Sequence, residues 1–260
     1  GPAPPVNDTV SATVQDASNR TLVFYSLPYG RSKRHWLAVN TTTSVPLPGR
    51  VCSAAALVCQ GRQYVVVAFC NASFLAFLDL SLASPTPRVL IGASTPGYHE
   101  GFKTDARFER VLHVASEAGR SSLFVADTLN CAVRSVSIPT LPGDFATRSY
   151  LVHGYTAAIC STVPTAILYP GRLFPVLGGT YFLFPAGGGL YQLDAPTRSV
   201  VQVLASSKAP AWMPDLSLLQ SVALAANSSA LVLAFASTSA VLAPSQQRCD
   251  AGFTSVAGGA

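Results

Sequence analysis

The chain is 260 residues long, 49% hydrophobic and only 11% charged, with 17 Lys and Arg against 12 Asp and Glu and a formal net charge of +5. That length and apolar share allow one large all-β core, while charges well below the usual quarter of a chain leave something else to keep the surface soluble. The basic residues do not form the broad Lys and Arg surface that nucleic-acid binding uses, so no nucleic-acid partner is expected.

In chain order, Gly1-Pro2 reads as the scar of a tag-removal protease, with no signal segment before it, and is set apart from the fold. Residues 3–9 are a candidate strand whose Pro4 and Pro5 suit only an outer edge. A pattern of short apolar strands then recurs. Its second strands are LVFYS (22–26), VVVAF (65–69), the run ending in VADT (125–128), YFLFP (181–185) and LVLAF (231–235). Inner strands precede these at 12–15, 53–58, 112–116, 173–177 and 221–225, and third strands follow near 36–39, 74–80, 132–136, 190–193 and 240–243. Fourth strands read at 44–47, 88–91, 148–152 and 199–204, and the fifth copy lacks one.

Residues 216–247 contain no charge, yet Asn227-Ser228-Ser229 and Ser237-Thr238-Ser239 cut them into strand lengths, short of the about 20 apolar residues a spanning helix needs. The end, CDAGFTSVAGGA (249–260), reads as the start of a further Cys-rich segment, which leaves 3–248 as one domain.

Residues 105–134, DARFERVLHVASEAGRSSLFVADTLNCAVR, contain ARF, an apolar strand, a Gly turn, VADT, an Asn and a basic strand in that order. At Ala106, Arg107, Phe108, 123–128, Asn130 and Arg134 this segment resembles the NHL repeat. The resemblance covers that segment alone and implies an all-β fold, a β-propeller of four-stranded antiparallel blades. Five copies favour five blades, with six as the alternative because 153–172 is long enough to raise the question. The ring is then closed by the N-terminal strand, 3–9, standing in for the missing fourth strand.

The resemblance also implies that Arg107, Asp127 and Asn130 make turn and inter-blade hydrogen bonds. Some similar propellers are enzymes, among them an amidating lyase with metal-bound histidines and lactonase-like relatives with calcium held by acidic residues. Here His35, His99, His113 and His153 show no ligand spacing, carboxylates are sparse on the inner strands, and no G-x-S-x-G occurs. No catalytic residue, metal or cofactor is therefore expected.

Asn-X-Ser/Thr sequons stand at Asn7, Asn19, Asn40, Asn71 and Asn227, and the six cysteines are even in number with no C-x-x-C pair. Together they predict an extracellular or cell-surface glycoprotein with disulfides. Antiparallel placement pairs Cys52 with Cys70 and Cys131 with Cys160, and leaves Cys59 with Cys249 as the weakest pair.

Because a meander alternates its turns between two ends, Asn19, Asn40 and Asn227 fall on one face and the long insertions on the other. The loop 28–35 and its flank gather Tyr29, Arg31, Lys33, Arg34, His35 and Trp36, and with His99 and Arg107 these are the candidate binding residues. The expected function is a non-catalytic recognition module binding a protein, or else a glycan, through that face. A propeller enzyme of the lyase or lactonase-like class is the alternative, and a rigid spacer for the downstream segment is a third reading.

Overall fold

The computed structural model describes residues 10–15, 21–29, 32–38, 44–59, 61–70, 72–82, 85–117, 122–138, 146–151, 169–187, 189–208, 213, 215–224, 231–235, 239–244 and 253–256. They form five four-stranded sheets whose paired strands all run antiparallel. The first sheet is β1 (Val10–Gln15), β2 (Thr21–Tyr29), β3 (Ser32–Ala38) and β4 (Ser44–Leu47). The second is β5 (Val51–Cys59), β6 (Arg62–Phe69), β7 (Phe74–Asp79) and β8 (Arg88–Gly92). The third is β9 (Val111–Ser116), β10 (Ser122–Asp127), β11 (Ala132–Ser137) and β12 (Ala146–Leu151). The fourth is β13 (Phe174–Val176), β14 (Tyr181–Ala186), β15 (Gly189–Asp194) and β16 (Val200–Ala205). The fifth is β17 (Leu219–Leu224), β18 (Leu231–Phe235), β19 (Ser239–Pro244) and β20 (Phe253–Val256).

The continuous apolar runs of the second strands follow from stacking. The second, third and fourth sheets are covered on both faces, so alternate residues of one strand feed two different cores. Val65 and Val67 pack with Leu22, Phe24 and Leu37 of the first sheet, while Tyr64, Val66 and Ala68 pack with Val114, Leu123 and Val125 of the third. Phe124 and Ala126 face the other way, against Phe182 and Phe184 of the fourth sheet, with Phe124 and Phe182 ring centroids 5.0 Å apart. Phe174, Leu183 and Leu190 then meet Leu231, Leu233 and Phe235 of the fifth. Inner strand β1 lies beside β5, β5 beside β9, and β13 beside β17. This is the sheet-on-sheet order of a β-propeller.

Two expectations of strand placement are corrected. The fourth strand of the fifth sheet is β20, near the C-terminus, which pairs Val241 with Val256 and Pro244 with Phe253. It takes the place assigned to residues 3–9, which lie outside the described residues. The basic loop 28–35 is instead the tip of the β2–β3 hairpin, because pairing continues through Leu27 with Arg34, Pro28 with Lys33 and Tyr29 with Ser32. Within the uncharged span 216–247, the described residues include β17, β18 and β19, and no described helix is long and apolar enough to cross a membrane.

Gly189 shows how tightly the outer strands meet. Its φ is +143°, and a Cβ there would stand 1.9 Å from the Leu204 carbonyl oxygen across the β15–β16 pair. Gly189→Ala should cost about 1–3 kcal/mol, since backbone and not a movable side chain is in the way. A urea midpoint equal to that of the parent protein would refute this.

Candidate functional site

The inner strands share one irregularity. In β5, Val51 pairs with Phe69 and Ser53 with Ala68, leaving Cys52 as an extra residue. In the same way Ser11 is extra in β1, Leu112 in β9 and Gln220 in β17. The fourth sheet shows the same one-residue slip between the Phe174–Leu183 pair and the 2.8 Å bond from Gly171 N–H to the Pro185 carbonyl, with Arg172 in the interval. A bulge bends its strand and re-aims side chains, and bulges gather next to active sites. Here the repeated bulges lie at the start of each inner strand, at one mouth of the sheet assembly.

A cavity of about 240 Å³ opens at that mouth, lined by Ala12, Thr13, Cys52, Ser53, Ala54, His113 and Arg172. Ser53 donates its hydroxyl to the Val114 carbonyl and accepts the Val114 N–H at 3.1 Å, so it is spent on joining sheets two and three. His113 joins sheets three and four, because its Nδ1 lies 3.3 Å from the Leu173 N–H. A backbone N–H can only donate, so Nδ1 is the acceptor and the neutral ring carries its proton on Nε2. Burial first, and then the charge of Arg172, push the His113 pKa down to about 3. His113 is thus a neutral Nε2–H donor beside an exposed guanidinium.

Next to the mouth, a buried charge cluster fastens the insertion between β8 and β9. Asp127 Oδ1 accepts the N–H groups of Glu109 at 3.0 Å and Arg110 at 3.2 Å, while Oδ2 accepts Asn130 at 2.7 Å and Arg134 at 3.1 Å. Arg134 is fully buried over the Phe108 ring and donates to the carbonyls of His99, at 2.6 Å, and Arg107. Asn130 reaches the Gly97 carbonyl at 3.0 Å. Burial raises the Asp127 pKa, against the pull of Asn130, Arg134 and the Arg110 N–H. Every partner of Asp127 is a donor, so the VADT motif with Asn130 and Arg134 serves as a structural clamp.

The predicted binding residues do not come together at the cavity. His99 and Arg107 form an isolated antiparallel bridge and share a separate exposed surface with Gly101, Phe102 and Asp105. His35 Nδ1 lies 2.7 Å from the Ser26 hydroxyl, and Trp36 lies half-buried in β3. Tyr29, Lys33 and Arg34 are placed by their backbone in the β2–β3 hairpin, and Arg31 lies outside the described residues. The sequons Asn7, Asn19, Asn40, Asn71 and Asn227 and His153 also lie outside them. Among the described residues, no group of three His, Cys, Asp or Glu could hold a metal.

Cys52 and Cys70 form a disulfide with Cα atoms 5.0 Å apart, tying the β5 bulge to the turn after β6. Cys131 is also disulfide-bonded, and its partner lies outside the described residues. The Cys59–Cys249 pairing is corrected: Cys59 is a free, buried thiol. Strand alternation turns it with Ala55 and Leu57 into the core between sheets two and three. Arg172 was missed by the sequence reasoning. The one signal for it is the tripeptide Pro-Gly-Arg, which precedes the inner strand of sheet two at 48–50 and that of sheet four at 170–172.

No protein-family model matches the chain, and no curated protein matches it. Solved structures do. The periplasmic gluconolactonase of Pseudomonas aeruginosa is similar over 95% of this chain and 70% of its own, at 14% identity and a TM-score of 0.58. A candidate 6-phosphogluconolactonase of Bacteroides uniformis is similar over 94% of this chain and 70% of its own, at 12% identity and a TM-score of 0.54. Hydrazine synthase of Kuenenia stuttgartiensis is similar over 96% of this chain, at 12% identity and a TM-score of 0.52, and this chain spans only 62% of its length. The expectation of a non-catalytic recognition module is corrected by the two lactonase structures, which favour the lactonase-like alternative. At these identities the likeness itself shows the fold, and the chain is an all-β protein with the architecture of a β-propeller.

Proposed function

We propose that the chain is a lactonase-like propeller enzyme that opens a small lactone by hydrolysis at the inner-strand mouth. The observation that carries this reading is His113, neutral and with Nδ1 occupied by Leu173, beside the guanidinium of Arg172 in a cavity of about 240 Å³. The two lactonase structures of the same fold support it. A disulfide next to the cavity and a periplasmic neighbour also support an oxidising, extracytoplasmic compartment.

In this reading, the lactone carbonyl oxygen accepts the His113 Nε2–H. Water adds to the carbonyl carbon, and the C=O electron pair moves onto oxygen as an oxyanion that His113 and Arg172 stabilise. The intermediate collapses by breaking the bond to the ring oxygen, which takes up the proton lost by the attacking water. The product is an open-chain hydroxy acid. Because its Nδ1 is engaged and its proton sits on Nε2, His113 acts as electrophile rather than base, and solvent takes the water proton in transit.

Acid release from δ-gluconolactone and simple γ-lactones, followed at constant pH, tests the reading. Turnover above the uncatalysed rate is expected. His113→Ala should lower kcat by about 10²–10³, the loss typical of one oxyanion donor. No turnover on any lactone, or undiminished turnover in His113→Ala, would overturn it.

A further inference from the structure

We propose that the ligand of the mouth cavity carries an anionic group, a carboxylate or a phosphate, which pairs with the Arg172 guanidinium while its neutral part occupies the space beside Ala12, Thr13 and Ala54. This rests on the lactonase reading for its location and names the class of substrate that the site takes.

Among the described residues, three arginines are ion-paired. Arg134 pairs with Asp127 at 3.1 Å, Arg198 with Glu117 at 2.9 Å and Arg62 with Asp79 at 3.8 Å. Arg172 is exposed, borders the cavity and has no ion pair or side-chain hydrogen bond among the described residues, and none of the described lining residues is a carboxylate. A cation at the mouth of a cavity without a counter-charge is an anion site.

The backbone that carries Arg172 is fixed on both sides. Pro170 is buried and its carbonyl accepts the Thr128 hydroxyl at 2.9 Å, which fastens it to the end of the VADT motif. Gly171 donates its N–H to Pro185 and lies so close that a Cβ would come 2.8 Å from the Pro185 ring. Leu173 is held by His113. A guanidinium on a pre-set backbone loses less freedom on binding, so more of its attraction for the anion reaches the affinity.

Apart from the Thr13 hydroxyl, which can donate or accept, the remaining polar side chains of the lining agree in sign. The Ser53 hydroxyl is spent on Val114, and the nitrogen of His113 that is left over bears a proton. Donors therefore outnumber acceptors at the cavity, which suits the oxygens of an acid better than a neutral sugar, whose hydroxyls need acceptors as well. The volume limits the ligand to a small one.

Calorimetric titration of the whole protein with inorganic phosphate, gluconate, 6-phosphogluconate and, as the neutral control, glucose tests this. At least one anion should bind and glucose should not. Preference for phosphate and 6-phosphogluconate over gluconate would assign a phosphate ligand, and the reverse a carboxylate. Arg172→Met should weaken the anion by about 10- to 100-fold, the range for a charged hydrogen-bonded contact, with Arg172→Lys in between. Because Arg172 is exposed and unpaired, thermal melting should be unchanged, which separates lost binding from lost fold. Equal anion affinity in parent and Arg172→Met, or glucose binding as well as the anions, overturns the proposal. Anion binding without lactone turnover would keep it and remove the lactonase reading, while turnover of charged and neutral lactones with equal kcat/KM, lowered to the same degree for both by Arg172→Met, would do the opposite.

Discussion

Arg134→Met should destabilise the protein by about 3–5 kcal/mol, the cost of leaving a buried partner charge uncompensated. Asp127 and Arg134 are both wholly buried, and Arg134 gives a second donor to the carbonyls of His99 and Arg107, which also accept each other's N–H, while it pairs with Asp127. Methionine keeps the packing over Phe108 and removes all of these donors. The sharper test is the double variant Arg134→Met, Asp127→Leu. It removes both charges, so it should recover part of the loss, even though the Glu109 and Arg110 N–H groups and Asn130 then lose their acceptor. Urea unfolding of both variants decides the matter. A single-variant loss below about 1 kcal/mol would mean that the clamp is not under the strain that burial imposes.

Asp127 and Asn130 of that clamp were legible in the sequence because its parts are local, whereas Arg107, expected to bond with them, enters only through its backbone carbonyl and Arg134 supplies the cation. Asp127, Asn130 and Arg134 lie within eight residues of one another, and their identities stand out in a chain poor in charge. The strand pattern was legible for a related reason: an unbroken run such as VVVAF is what a strand buried on both faces requires. The fourth strand of the fifth sheet was not legible, since FTSV is short and sits in a Gly-rich tail that reads as linker.

The cavity was hidden for a physical reason. His113 could be placed on an inner strand, but its protonation and tautomer come from Leu173 and Arg172, about 60 residues further along. Arg172 reaches the cavity through a one-residue slip in pairing, and periodicity counts residues as though no slip occurred. The basic hairpin tip drew attention instead because its charges are adjacent in sequence. Arg172, separated from His113 in sequence, sits on a backbone held by bonds on both sides.

The neutrality of His113 can be measured without any ligand. In the unfolded chain an imidazole titrates near its ordinary value of 6.5, whereas in the folded protein His113 does so near 3. Between those values the unfolded state binds a proton that the folded state does not, so stability falls as pH is lowered through the window and is fully present above it. The slope approaches about 1.4 kcal/mol per pH unit, which over the whole window comes to about 5 kcal/mol. Carboxylates add their own slope below about pH 5, so the clean interval is pH 6.5 to 5, where His113 alone should account for roughly 2 kcal/mol. The comparison is between the parent protein and His113→Gln, whose amide can still accept the Leu173 N–H and does not titrate. The parent should lose stability over that interval relative to the variant. Arg172→Met should shrink the effect, because removing the second cause of the shift lets the folded pKa rise toward 6.5. Parallel stability curves for parent and His113→Gln would mean that the ring protonates as readily in the fold as in water. His113 would then titrate near neutral pH and enter the reaction partly as a cation, and the role of a fixed neutral donor assigned to it would fall.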